Sequence, residues 1–262
     1  MEGELIIVGW ADVLIALGLI AVAVGLTYFQ GFGLERDLLV GTLRCLVQLV
    51  ILGYVLVYLF RLESLWITTG ILVVMALAAA FTARGRIKRP YPGAVPVLWF
   101  SITVGSFAAL AYITVLTMRN PAALTARYLI PLGGMVIGNV LNGLSLSGER
   151  FRSDLAAQRD RVECLLALGA TSDRAAADCT RAAFVAGMIP TINALMVIGL
   201  IQIPGIMVGQ VLSGVDPLIA ARYQLLIMFM LVGGKVVALS LALRLGARRY
   251  FTPDHQLRPE LL

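Results

Sequence analysis

A chain of 262 residues with 60% hydrophobic and 14% charged residues, and a mean hydropathy of +0.90, falls outside the soluble class, in which roughly 25% of residues are charged. At about 20 residues per span it has room for about six or seven membrane crossings and no large soluble domain. The net charge of +6 would suit a nucleic-acid partner, but the basic residues gather in loops beside apolar spans, so no nucleic acid is expected.

The first apolar run covers 5–29, with Asp12 near its outer end. Glu2 and Glu4 stand before it in place of a basic leader region, so it reads as a retained span and not as a signal peptide. A turn over 30–37 leads to the second run, 38–60, which contains Arg44 and Gln48. A tight connection, 61–64, precedes the third run, 65–81, and a compact basic loop follows at 84–90. The fourth run is 95–117. The next loop, 118–127, holds the turn signal Asn120-Pro121, and the fifth run is 128–146. The long polar stretch 147–181 comes next, then a sixth run, 182–203. A Gly-rich, still apolar connection at 204–217 reads as a loop or a re-entrant segment. The seventh run is 218–243 and the tail 244–262. The expected fold is an all-α polytopic membrane protein: one transmembrane domain, 1–262, of about seven helices, with a cytoplasmic helical hairpin at 147–181.

Charge sets the expected orientation. With the 84–90 loop in the cytoplasm, alternation of seven spans puts 15 Lys and Arg on that side and 4 on the other. The N-terminus is then outside, and the hairpin and C-terminus are inside a cell (inner) membrane. Of the cysteines, Cys45 lies in a span and Cys164 and Cys179 in the polar stretch, where reduced thiols are the default. They lack metal-ligand spacing, and the one histidine, His255, is in the tail.

The stretch 147–181 holds 12 of the 36 charged residues. Phe151, Leu155, Val162 and Leu166 recur at helical spacing, while Arg152, Asp154, Arg159, Asp160 and Glu163 fall on the other face. Gly169 suits the left-handed position that ends a helix. Thr171 or Ser172 can cap the next helix, with Asp173 in its first turn. That helix is expected to run on into the sixth span, where Pro190 frees a carbonyl and kinks it. A solvated loop is the plainer reading of such a charge run.

Glu163 followed six residues later by Gly169, then Ala170 and Thr171, resembles the Glu-Ala-Ala…Gly signature of ABC-importer permeases, with Cys164 and Leu165 in place of the two alanines. In those proteins the segment is a coupling helix seated in the ATPase subunit. Longer pieces are similar to the FetB-type family of ABC-transporter permeases, described as iron exporters, with plant relatives linked to aluminium tolerance and, in one proposal, to nucleotide-sugar transport. These pieces are Gly41-Thr42-Leu43-Arg44-Cys45-Leu46-Val47-Gln48-Leu49, the run 131–142, Leu168-Gly169-Ala170-Thr171, Ile189-Pro190-Thr191, and the run 203–224 beginning Ile203-Pro204-Gly205. The resemblance implies a permease that pairs with a separate ATPase and dimerises. It assigns Arg161, Glu163, Leu166, Gly169, Ala170 and Thr171 to ATPase coupling.

Within the spans, Arg44, Gln48, Asn139, Asn142, Pro190, Thr191 and Asn193 are the candidates for a translocation path. Arg44 and Gln48 share one helix face, and a charge in a span costs about 2.5–3.5 kcal/mol unless it faces protein or water. Snorkelling of Arg44 to headgroups is the alternative. The three Asn residues either hydrogen-bond between the fifth and sixth spans or ligate cargo. Gly134 with Gly138, and Gly205 with Gly209, are small-residue pairs that permit close helix packing. Lys235 follows Gly233-Gly234 but lacks the spacing of a phosphate loop, so ATP hydrolysis is assigned to a partner and the chain is not itself an enzyme. No cofactor is expected, and no residue set identifies a metal. Arg44 and Lys235 give the interior positive charge, which suits a chelated or anionic cargo better than a bare divalent ion. The expected partners are an ABC ATPase, a second copy of the permease and membrane lipid. A stand-alone secondary transporter or channel, and an ABC permease for a nucleotide sugar, are the alternatives.

Overall fold

Inside a bilayer every backbone polar group must be satisfied within the chain, so apolar runs of this length fold as helices. The computed structural model describes residues 9–60 and 64–262. Its helices are α1 (Trp10–Phe29), α2 (Glu35–Leu59), α3 (Leu65–Gly85), α4 (Ala94–Ala111), α5 (Ala126–Ala157), α6 (Arg159–Ala167), α7 (Ser172–Ala175), α8 (Ala177–Val197), α9 (Gly205–Leu212) and α10 (Pro217–Ala247). Seven of the described segments are long and apolar enough to cross a membrane, as expected from sequence. Strand-like pairing among the described residues is limited to isolated bridges, Ile198 with Gln202 and Phe251 with Leu257. The start of the first span and residues 61–63 of the tight connection, with Arg61 and Glu63, lie outside the described residues.

Local chemistry sets the helix ends. Asp216 accepts from the Leu218 and Ile219 N–H groups at 2.8 and 3.3 Å, and Pro217 takes the first position of α10, where its missing N–H costs nothing. Asn120 caps the short 3₁₀ turn Pro121–Leu124 in the same way, at 2.9 Å from Ala122 N. The turns after α4, Tyr112–Met118, widen to π-helix and stop at Arg119, whose φ is +49°. This continuation carries the fourth crossing to Met118.

The chain divides into two compact units. The first contains α1 and α2, which pack on each other, are largely apolar and bury no side chain. The second comprises Ser64–Val211 and Val215–Leu262. In it α10 packs against α4, α5 and α8, and α3 covers α4 and α5. Glycines permit the closest approaches. A Cβ on Gly105 of α4 would lie 2.6 Å from the Gly234 carbonyl oxygen of α10, and one on Gly187 of α8 would lie 2.9 Å from that of Gly143 in α5. The pairs singled out by spacing are looser: a Cβ on Gly134 would meet only the end of Met75, and one on Gly138, Gly205 or Gly209 would meet nothing within 4 Å.

The polar stretch differs in detail from its expected outline. α5 continues unbroken to Ala157, well past the end of the expected fifth span. The break comes at Gln158 (φ −105°, ψ 21°), so Phe151 and Leu155 sit on α5 and Val162 on α6, all three buried. Gly169, at φ +86°, makes the reversal. Thr171 takes the N-cap position of α7 with an extended backbone but no side-chain cap bond. A second break at Ala176 separates α7 from α8, where a continuous helix was expected. Pro190 is held inside α8, which runs on to Val197, and Pro131 is likewise inside α5. In the 204–217 connection α9 has 8 residues, about 12 Å, too short to span a bilayer.

Candidate functional site

Two places in the second unit gather polar chemistry. The first is at mid-span. Lys235 of α10 is 2% exposed, and its Nζ donates to Thr191 Oγ1 of α8 at 2.6 Å. Thr191, also 2% exposed, donates to Asn139 Oδ1 of α5 at 3.2 Å. The lysine stem crosses the Gly143 and Gly187 contact: a Cβ on Gly143 would come within 3.0 Å of Lys235 Cε. Lys235 lies nine residues from Arg244 and twelve from Tyr223, or about 13 and 18 Å along the axis, so the amine sits deep in the span. Burying an ammonium with neutral oxygen partners is costly, and such intramembrane charges mark transport sites by default.

Within the second unit, the path candidates Asn142, Pro190 and Asn193 take no part in this cluster's hydrogen bonds. Asn142, one turn beyond Asn139, is exposed and accepts from Arg86 at 3.2 Å. Pro190 and Asn193 lie on exposed faces of α8. Arg44 and Gln48 are both exposed on α2, in the first unit. Lys235, which spacing had set aside as a failed phosphate loop, is the residue that joins α10 to the Thr191–Asn139 pair. Its sequence signal was available: a cation in the middle of an apolar helix.

The second place is the end of the unit that bears the hairpin. Arg161 pairs with Asp178 at 2.7 Å and Arg159 with Glu163 at 2.8 Å, which ties α6 to α8 and along itself. Leu166 and Ala170 are half-buried, while Gly169 and Thr171 are exposed at the tip. The basic loop is bound to the same end, where the Lys88 N–H donates to Glu149 at 2.9 Å and Glu149 pairs with Arg152 at 2.8 Å. The tail folds back there too. Arg248 pairs with Asp173 at 2.9 Å, and His255 Nδ1 accepts from the Ser172 N–H at 3.2 Å. The hydrogen bond from Arg248 holds the Asp173 carboxyl below its ordinary pKa, with Arg244 and His255 adding smaller pulls. Tyr250 stacks edge-on with Phe151 at 5.4 Å and Tyr91 at 5.6 Å, and burial pushes the Tyr91 hydroxyl well above its ordinary pKa. Tail docking was not foreseen; Tyr250, Phe251 and Leu257, all buried, carried an apolar signal for it.

At the opposite end a cavity of about 340 Å³ is lined by Arg127, Tyr128, Gln210 and Tyr223 among apolar side chains. No group of three or more His, Cys, Asp or Glu side chains suited to a metal ion occurs among the described residues.

The family model described as uncharacterised protein family UPF0014 matches residues 10–251. The chain belongs to the UPF0014 family. It is 38% identical over 257 residues to a UPF0014 membrane protein of Synechocystis, covering 98% of this chain and 99% of that one. It is 30% identical over 243 residues to the probable iron export permease protein FetB of Escherichia coli, covering 93% and 92%. The Arabidopsis thaliana protein ALUMINUM SENSITIVE 3 is 32% identical over 244 residues, covering 93% and 88%. These relatives bear out the FetB-type resemblance and identify this UPF0014 chain as a multi-pass membrane protein of a permease family. No solved structure matches it.

Proposed function

We propose that this UPF0014 chain is the membrane subunit of an ATP-driven exporter, coupled to a separate ATPase through the 147–181 hairpin. The observation that carries the reading is the hairpin itself. Its tip at Gly169 and Thr171 follows α6, which the Arg161–Asp178 ion pair fixes to α8, and α8 brings Thr191 to the mid-span cluster. A push on the tip is therefore transmitted along α8 to Lys235. On this reading Arg161, Glu163, Leu166, Gly169, Ala170 and Thr171 form the coupling surface, and the hairpin end faces the cytoplasm. The name of the E. coli relative supports iron as the cargo. The cation at Lys235 favours iron carried as an anionic chelate over the bare ion. Arg44 and Gln48 of α2, and the exposed Asn142, Pro190 and Asn193, are proposed to face the path or a second copy of the permease.

Purification of the chain with its partner ATPase tests the reading. The ATPase should co-purify, and its turnover should rise in the complex. Survival of that association after deletion of residues 160–173 would overturn the docking claim. A second reading, a stand-alone secondary transporter, is favoured by one observation, the buried titratable amine of Lys235. Transport into vesicles that contain the chain and no ATPase separates the two.

A further inference from the structure

An open groove of about 640 Å³ runs between α8 and α10 at the hairpin end. Its walls include Phe184, Val185, Leu243 and Phe251, and its rim carries Arg181 and Arg244. The walls are apolar enough to disfavour filling by water, which needs two to four polar partners at each site. The hydroxyls of Thr180 and Ser240, also in the groove, are already donated to the Ala176 and Val236 carbonyls at 2.9 and 2.7 Å.

The rim is positive and available. Asp173 borders the groove, but its carboxylate is taken by Arg248 at 2.9 Å. Among the described residues no salt bridge engages Arg181 or Arg244, and both are exposed. An adjoining cavity of about 450 Å³, lined by Arg248, Arg249, Arg258 and His255, extends the positive field. Along each helix the arginine lies one turn, about 6 Å, from the deeper groove residue: Arg181 from Val185, and Arg244 from Ser240. That is the step from a headgroup to the top of an acyl chain.

We propose that this groove is a binding site for an anionic phospholipid, with the phosphate held between Arg181 and Arg244 and an acyl chain laid along Phe184, Val185 and Leu243. A guanidinium pair can grip a phosphate in bidentate fashion, and basic pockets between spans recognise anionic headgroups. The seated lipid would brace α8 against α10 just above the Lys235 contact. The proposal does not depend on the transported cargo or on the ATPase.

Native mass spectrometry of the full chain, released from nanodiscs of mixed phosphatidylglycerol and phosphatidylcholine, tests it. The chain should retain phosphatidylglycerol over phosphatidylcholine by on the order of tenfold, given two arginines at headgroup level. The double variant Arg181→Gln with Arg244→Gln should lose that preference, with its helical content unchanged. Val185→Trp, which fills the groove and leaves the charge in place, should lower retention of both lipids. Equal retention of the two lipids by the unaltered chain, or an unchanged preference in the double variant, overturns the proposal. So does displacement of bound lipid by inorganic phosphate alone. If Val185→Trp shifts the monomer–dimer balance and leaves lipid retention unchanged, the groove is a contact between copies and the proposal fails.

Discussion

Lys235 and Thr191 are joined at 2.6 Å inside the second unit, and both side chains are 2% exposed. Through Thr191 the contact reaches Asn139, so one chain of hydrogen bonds links α10, α8 and α5 at mid-span.

Lys235→Met keeps the volume of the stem and removes the buried charge. Replacing a buried charge by an apolar residue of similar shape is often neutral or stabilising by about 1–4 kcal/mol. The variant is predicted to fold with equal or higher thermal stability and to lose transport. Thr191→Val acts in the opposite direction on stability. It strips the ammonium of its acceptor, at a cost of about 1–3 kcal/mol. Thermal unfolding in detergent compares the two, and a Lys235→Met variant that transports normally would show the amine to be structural only.

The helix contacts predict a ranking of glycine substitutions. Gly187→Ala puts a Cβ 2.9 Å from the Gly143 backbone oxygen, which cannot swing aside, and Gly105→Ala puts one 2.6 Å from the Gly234 oxygen. Each should cost about 1–3 kcal/mol. Gly143→Ala meets mainly the flexible Lys235 stem and should cost less. Gly138→Ala meets nothing within 4 Å and should be neutral or stabilising by up to about 1 kcal/mol through helix propensity. Melting temperatures of the four variants give the order directly.

Gly169 is required for its backbone, with φ at +86° and open space around it. Gly169→Asn, which tolerates this conformation, should preserve ATPase association. Gly169→Val should strain the turn by at least roughly 1 kcal/mol and weaken association. Glu163→Arg, which faces Arg159 across one helical turn, should weaken it as well without unfolding the spans. Pull-down of the ATPase by each variant reads the effect. Equal losses for Asn and Val would move the cause from backbone conformation to contact at the tip.

The crossings were legible because a run of about 20 apolar residues has few alternatives. Gly169 was legible for a related reason, since few residues other than glycine accept its backbone angles. Register inside the polar stretch was less visible. Phe151, Leu155, Val162 and Leu166 fit one continuous helix face, and nothing in that spacing marks the break at Gln158. Close packing was obscured for the same reason: Gly105 meets Gly234, and Gly143 meets Gly187, far apart in sequence. Asn139 and Thr191 were picked out by polarity, but only the fold sets Lys235 against them.

The tail contact predicts a pH dependence. The Asp173 carboxyl has its pKa lowered in the folded chain by the Arg248 hydrogen bond, with Arg244 and His255 nearby. A lowered folded value means that the stabilisation is fully present above the unfolded value, near 3.8, and is lost as pH falls through the folded one. Amide protection of residues 251–258 contributed by this pair should therefore be constant from neutral pH to about 5 and decline below about 4. Asp173→Asn should remove that acid step. The pair is more than half exposed, so the effect should also shrink in high salt.

Accumulation of iron chelates in inside-out vesicles containing the chain and its partner ATPase tests the central claim most directly. The account predicts uptake that requires ATP, stops on deletion of residues 160–173, and stops in Lys235→Met while the ATPase remains bound. Uptake that proceeds without the ATPase, or that survives loss of the hairpin, would contradict it.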